Sequence, residues 1–231
     1  MKKNFKQFMI QEGVYDPGIF KAVFLAGGPG SGKSFVSKSA FAGVGLKFVN
    51  SDNIFTSYLK KHDLSLKMPD SEADVRTLLR MRAKAQTAKR QDMWIRGKLG
   101  LLIDGTARDY AKISTQARFL KVIHGYDIHM IFINTSLDVA LERNIKRSKE
   151  GDRLVPEYIL KKNWNGVHGN MGKFNSLFGN NFHIIDNNRS EKELVTITLR
   201  KAASIARRIM SSPHGWVAKQ WIRKELELKK R

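Results

Sequence analysis

The sequence predicts an α/β fold of three layers, with a mostly parallel five-stranded sheet held between helices. Three observations carry that prediction. Short apolar segments alternate with longer amphipathic ones along the chain. The apolar segments are almost unbroken in Ala, Val, Ile, Leu and Phe, as strands covered on both faces are. A glycine-rich run, Gly27 to Ser34, joins the first apolar segment to the first amphipathic one. With 231 residues, 42% of them hydrophobic, the chain can build a core of that size.

Taken in order, strands are expected at Ala22–Ala26, Lys47–Asn50, Leu99–Asp104, His129–Asn134 and Phe182–Asp186. Helices are expected at about 33–42, 72–97, 110–124, 136–149, 156–165 and 190–210. Ser71, Asp109 and Ser136 stand where N-caps would, since their side chains accept from free N–H groups. Two segments fall outside the alternation. Residues 1–18 end in the turn-forming Asp16-Pro17-Gly18. After the linker-like run Ser211–Gly215 comes Trp216–Arg231, a basic tail helix with Val217 and Trp221 four apart. The expected organisation is therefore 1–18, a main domain over 19–210, and a tail over 211–231.

Composition excludes several classes. There is no cysteine, which removes disulfide scaffolds, thiolate metal sites and cysteine nucleophiles. No run approaches the roughly 20 apolar residues that cross a bilayer, and the first sixteen residues lack a secretory apolar run. The six histidines show no metal-ligand spacing. Lys plus Arg is 42 against 21 Asp plus Glu, a net charge of +21. From Lys60 to Lys98 eleven basic residues face five acidic ones, and from Arg200 to Arg231 ten face two. Clusters of this kind point to a polyanion partner, nucleic acid above all. No protein partner can be read from the sequence.

Gly27-Gly28-Pro29-Gly30-Ser31-Gly32-Lys33-Ser34 matches all eight positions of the phosphate-binding loop, with a strand before it and a helix after. Gly28, Gly30, Ser31 and Gly32 would turn backbone N–H groups onto a nucleotide phosphate at a helix N-terminus, with Pro29, which has no N–H, in the same nucleotide-binding loop. Lys33 would reach the outer phosphates and Ser34 would ligate Mg²⁺. Two carboxylates end later strands: Asp52 in Val49-Asn50-Ser51-Asp52, and Asp104 in Leu101-Leu102-Ile103-Asp104-Gly105-Thr106. Both fall at the carboxyl edge of the sheet, where ligands bind in open α/β folds. Asp52 can take a proton from a substrate hydroxyl or cap the helix after it. Asp104 can position Mg²⁺, orient substrate, or simply cap a turn. Arg143 and Arg147 share a helix face just before Gly151–Pro156, the layout of a lid that carries cations to a transferring phosphate.

Together these stations resemble the P-loop kinase group that contains the 5′-hydroxyl polynucleotide kinases and the zeta-toxin kinases. The resemblance covers roughly residues 20 to 187, and Arg143-Asn144-x-Lys146-Arg147…Val155-Pro156 is similar to the lid of phage polynucleotide kinase. It implies a kinase-type P-loop fold with a helical lid, and ATP with Mg²⁺. Arg147 would be the γ-phosphate arginine, Asp52 the general base and Asp104 a substrate- or metal-side carboxylate. Arg143 would help to hold the nucleotide. Gly105-Thr106-x-Arg108 resembles the zeta-toxin arrangement, which places Thr106 and Arg108 on the acceptor. One departure stands out: the polynucleotide kinase pattern has an arginine three residues after the base, and here Phe55 occupies that position. Arg76, Arg80, Arg82 and Arg90 of the following helix are the candidate replacements.

Residues 1–13 resemble, independently, the capsid-targeting leader of internal head proteins in T-even-like phages, with Glu12-Gly13 as the cut. That would place the protein in a virion head; otherwise a cytoplasmic location, that of the host, is expected. The leading expectation is an ATP-dependent kinase acting on a nucleic-acid 5′-hydroxyl. A sugar-nucleotide or nucleotide kinase stands second, and a basic DNA-binding head protein is the reading of another class. An NTPase motor is disfavoured, because no partner-arginine motif follows the fourth strand. His168 and the glycine-rich stretch around it could line the acceptor site, with Trp164 and Phe174 as packing residues.

Overall fold

Strand β1 (Lys21–Ala26) is buried at all six positions, because it is the middle strand of the sheet. The computed structural model describes residues 13–150, 155–188 and 192–229. Among them β2 (Lys47–Val49), β3 (Leu101–Asp104), β4 (Asp127–Asn134) and β5 (Phe182–Asp186) join β1 in the order β2-β3-β1-β4-β5. Every pairing is parallel. Register sets Leu25 beside Asp104 and Asn134 beside Asp186, so the strand ends that carry chemistry align along one edge. The first twelve residues, with the expected leader, and residues 151–154, from the expected lid, lie outside the described residues.

Nine helices are described: α1 (Lys33–Ala40), α2 (Ser51–Lys61), α3 (Ala73–Arg96), α4 (Tyr110–Arg118), α5 (Leu137–Lys149), α6 (Glu157–Gly169), α7 (Met171–Phe178), α8 (Lys192–Ser211) and α9 (Trp216–Lys229). Alternation along β1 supplies both cores. Ala22, Phe24 and Ala26 pack with Ala117, Val167, Phe174, Phe178 and Ala218 on one face. Val23 and Leu25 pack with Val36, Ala40, Ala202, Ile205 and Ile209 on the other. A third, small core joins α2 to α3 through Phe55, Leu59, Leu79 and Ala83. It makes these two helices a separate hairpin beside the sheet edge.

All five expected strands form, with shifts at their starts. β1 begins at Lys21, whose side chain is buried. Its ammonium donates to the Ile209, Met210 and Ser212 carbonyls and to Ser212 Oγ at the C-terminus of α8. Helix C-termini attract cations, so this lysine fits a strand core. β3 begins two residues late. Gly100 lies against the Gly18 carbonyl and Leu46, where a Cβ would not fit.

Asp109 and Ser136 cap their helices, accepting from Lys112 N and Val139 N. Ser71 does not cap α3. A 3₁₀ turn, Asp70–Glu72, precedes that helix, and the Glu72 carboxylate instead accepts from Ser65 N. The expected helix over 110–124 is α-helical only to Arg118 and closes in a π turn, Phe119–Ile123. The glycine-rich stretch after Asn163 is helical: Gly166 and Gly169 lie in α6 and Gly172 in α7.

Helix α9 lies on the first core. Ala218 is fully buried, and the Trp221 ring meets Phe20 edge-on at 5.6 Å. Trp221→Ala is therefore expected to destabilise the protein by about 2 kcal/mol. A urea melt would show a lower midpoint at unchanged slope. A loss below about 0.5 kcal/mol would mean that α9 contributes little to the fold.

Candidate active site

The phosphate-binding loop is shaped by two close approaches. Gly30 and Gly32 take left-handed φ values of 77° and 88°. A Cβ at Gly30 would strike the Ala140 carbonyl of α5, and one at Gly32 the Asn187 side-chain amide. Only glycine meets both demands. Between them the Ser31 carbonyl accepts from Thr135 Oγ1 (3.2 Å) and Asn187 Nδ2 (2.8 Å). The ends of β4 and β5 thereby hold the loop at the head of α1. Gly28 faces Trp164 of α6, Pro29 is half-buried and Ser34 is exposed in the first turn of α1.

Lys33 Nζ donates to the Gly27 and Gly28 carbonyls, at 2.6 and 3.0 Å. Burial lowers its pKa. Asp104 and Asp52 act against that shift, and Arg147 adds to it. The same ammonium thus feels the charge of both carboxylates and of the arginine.

Asn50 sets the acidic half of the site. Its Oδ1 accepts from Asp52 N (2.5 Å), capping α2, and its Nδ2 donates to Asp104 Oδ2 (2.7 Å). The extended backbone at Asn50 lets one side chain bridge the ends of β2 and β3. Asp52 is therefore not the cap of α2. It pairs with Arg80 of α3, and the Arg80 guanidinium lies 4.9 Å over the buried Phe55 ring. Of the four candidate arginines, Arg76 is tied to the Pro69 carbonyl and Arg82 and Arg90 are exposed.

Burial raises the Asp104 pKa above the ordinary carboxylate value. Lys33 and the Asn50 bond oppose this, and Asp52 adds to it. Asp104 Oδ1 is buried without a hydrogen-bond partner, a fitting donor for a hydrated Mg²⁺, which keeps several waters and takes one or two protein oxygens. Ser34 and Asp104 are the residues that would hold it. No cluster of three or more His, Asp or Glu suits a metal among the described residues.

Arg143 Nη1 stands over the loop, 3.9 Å from where a Gly32 Cβ would be. Its pKa is lowered by burial, against Glu142. Between Arg143 and Arg147, Asn144 exchanges two bonds with the Val155 backbone, at 2.7 and 3.1 Å. That pair ties α5 to Val155, just before α6. Thr106 is exposed beyond β3. Arg108 lies over Gly166, and its Nη1 donates to Asn163 Oδ1 at 3.0 Å, so it braces α6.

His168 is also structural. It stacks on Trp164 at 3.8 Å and bonds the Trp164 carbonyl and Asn134 Oδ1, while Trp164 Nε1 donates to the Thr135 carbonyl. Phe174 is fully buried in the core. The glycine-rich stretch therefore builds the wall behind the phosphate loop through Trp164. Thr135 and Asn187 escaped sequence reading, and Asn50 and Asn144 stood inside quoted motifs without a role. Only Asn50, inside the Asp52 motif, carried a local signal as an N-cap residue.

An AAA-domain family, AAA_33, matches residues 23–164. The chain belongs to that family. Its fold is that of the ATP-binding P-loop kinases. A gluconokinase from Sinorhizobium meliloti 1021 is 15% identical, with a TM-score of 0.52, covering 83% of this chain and 94% of that one. A structure of the PezAT chromosomal toxin–antitoxin system of Streptococcus pneumoniae is 17% identical, with a TM-score of 0.53, covering 90% and 86%. The AvrRxo1-ORF1:AvrRxo1-ORF2 complex with sulphate ions is 12% identical, with a TM-score of 0.58, covering 86% and 78%. At these identities the likeness is one of fold. No curated protein matches the sequence. Among the described residues, no helix is long and apolar enough to cross a membrane.

A carboxyl whose pKa is raised by folding favours the fold at low pH and costs stability as pH rises through its folded value. Asp104→Asn is therefore expected to raise the melting temperature at pH 7. The gain should shrink as pH falls toward about 4, where the carboxyl is protonated in the unfolded chain as well. An equal or lower melting temperature at pH 7 would show that the Lys33 pairing outweighs the burial.

Proposed function

We propose that this protein is an ATP-dependent kinase that transfers the γ-phosphate to a hydroxyl, with a nucleic-acid 5′-hydroxyl as the leading acceptor. The observation that carries the reading is the phosphate loop with the Lys33 ammonium held on its carbonyls, beside the strand ends where Asn50 links the segments of Asp52 and Asp104.

On ATP binding, the loop N–H groups and the N-terminus of α1 receive the phosphates. Lys33 moves from the Gly27 and Gly28 carbonyls to the outer phosphates. Asp52 accepts the proton of the acceptor hydroxyl. The hydroxyl oxygen bonds to the γ-phosphorus as the bond from that phosphorus to the bridging oxygen breaks, and ADP leaves. Lys33 and Arg147 hold the negative charge on the transferring group, with Arg143 on the nucleotide; such positioning and charge stabilisation is most of the catalysis in this chemistry. Ser34 and Asp104 would hold Mg²⁺, which would supply further charge neutralisation. The Asn144 clamp on Val155 keeps the arginine-bearing helix joined to the start of α6.

The acceptor assignment is supported by the basic surface. Arg82, Lys84, Lys89, Arg90 and Arg96 are exposed on α3, next to the acceptor side, and Arg223, Lys224 and Lys229 are exposed on α9. Small anionic acceptors such as sugar nucleotides are the second reading, favoured by Thr106 standing exposed just past Asp104. A head protein cleaved at Glu12-Gly13 is compatible with either; its proposed locations are the host cytoplasm and the virion.

The test is transfer of labelled γ-phosphate from ATP with Mg²⁺ to 5′-hydroxyl oligonucleotides, nucleoside monophosphates and UDP-sugars. Label is expected on the oligonucleotide, and Lys33→Ala, Asp52→Asn and Arg147→Ala should each lower the rate by about 100-fold or more. Label only on a small molecule would shift the acceptor to the second reading. No label, with DNA binding that survives Lys33→Ala, would replace the kinase reading with that of a DNA-binding protein.

A further inference from the structure

We infer that the open edge of β5 takes an acidic, extended polypeptide as an added strand, seated in the groove between that edge and α8. The partner is a protein segment that alternates acidic and apolar residues. The groove lies at the opposite edge of the sheet from β2, so the inference stands apart from the kinase reading.

The edge is the first observation. Among the described residues β5 pairs with β4 alone. The Asn187 amide donates to the Asn134 carbonyl, which sets the alternation of the parallel ladder. His183 and Ile185 turn their peptide groups toward β4, and Phe182, Ile184 and Asp186 turn theirs away. The far end of this edge is closed, because the Asp186 carbonyl accepts from Thr198 Oγ1 of α8. At Ile184 both N–H and C=O face the edge, with no partner among the described residues. A strand edge in that state is a template for a further strand.

The groove is the second. A cavity of about 300 Å³ is lined by Phe182, His183 and Ile184 on one side and by Lys201, Ser204 and Arg208 on the other. Neighbouring strand residues point to opposite faces: His183 is buried on the α8 side, and Ile184 is 41% exposed on the other. A cavity that touches both runs along the edge itself, not over either face. Ile197, Lys201, Ser204 and Arg208 recur at helical spacing and form one stripe of α8. Ile197 continues that stripe as exposed apolar surface.

Charge selects the partner. Arg208 Nη2 donates to His183 Nδ1 at 2.9 Å, which pins the guanidinium across the groove and leaves it further N–H groups for a ligand. Lys201 stands exposed two turns earlier. Among the described residues no acidic side chain lines the groove, and the Asp186 carboxylate accepts from Asn188. A chain of net charge +21 repels a second copy of itself here, whereas carboxylates on an incoming strand meet both cations. Nucleic acid brings phosphates but not the alternating N–H and C=O that the Ile184 peptide groups match. On an added strand, alternate side chains fall beside His183, within reach of Lys201 and Arg208, and the others fall beside Ile184. The two faces therefore ask for acidic and apolar residues in turn.

The experiment titrates the full chain with a capped, dye-labelled peptide that alternates Glu and Val over about ten residues. Binding is read by fluorescence anisotropy and by hydrogen exchange. Micromolar binding is expected, with exchange of the Ile184 amide slowed by about 10-fold or more. Two analogues keep the charge, one N-methylated at every Val and one at every Glu. An edge ladder uses alternate peptide groups, so one analogue should bind about 10-fold or more weakly and the other should bind like the parent. Lys201→Glu should weaken binding of the parent peptide. Ile184→Pro should fold, since its N–H lies outside the ladder, and lose binding; should it not fold, the two analogues still decide the question. An oligonucleotide of matching charge should leave Ile184 exchange unchanged.

Equal binding of the parent and both analogues reduces the attraction to general charge and overturns the inference. Failure of the parent peptide to bind overturns it as well, and so does protection of Ile184 by the oligonucleotide. A dimer in sedimentation that the peptide dissociates, with Ile184 protected before any peptide is added, overturns it in favour of a second copy of this chain.

Discussion

The Ser31 carbonyl is the point on which the site hangs. It takes hydrogen bonds from Thr135 and Asn187, residues that end two different strands. Each bond is worth only about 1 kcal/mol net, but together they tie β1, β4 and β5 to a single peptide group. Steric limits complete the hold, because Ala140 and Asn187 press on the loop where Gly30 and Gly32 have no side chain. The loop is preformed, and a nucleotide does not have to order it. Arg143 is placed by the same arrangement, since the helix that crowds Gly30 also carries the arginine over Gly32.

Electrostatics in this region work against stability. A cation is partly buried at Lys33 and a carboxyl at Asp104, and burial shifts both pKa values toward the neutral forms. Groups held in this way are typical of sites built for a ligand that brings its own charge. Asn50 limits the cost by satisfying Asp104 on one oxygen and the helix start on the other side. Stability and chemistry meet in that one amide.

The five strands were legible because each is a short, nearly unbroken apolar run, a pattern that survives any tertiary arrangement. The phosphate loop was legible because its glycines answer to backbone geometry. Helix α7 was not. Gly166, Gly169 and Gly172 argue for loop, yet burial of Val167, Phe174 and Phe178 pays the propensity cost. Asn187 was hidden for another reason: it bonds a backbone group of a distant segment, and nothing near it in sequence announces that. Arg80 was one of four arginines with equal claim, and only the packing of α2 on α3 separates it from the rest.

Lys21 draws a boundary that the family match does not. The matched region ends at residue 164, but the strand that feeds the phosphate loop begins with an ammonium whose oxygen partners are contributed by Ile209, Met210 and Ser212. A chain cut anywhere between those two points would leave a cation stranded in a hydrophobic layer, with the Asp127 carboxylate, whose charge it feels, already shared with His129 and Asn181. The smallest autonomous folding unit therefore extends through Ser212, well past the last residue with a place in the chemistry. Excision of a minimal catalytic fragment has to respect the far end of α8 as strictly as the loop itself.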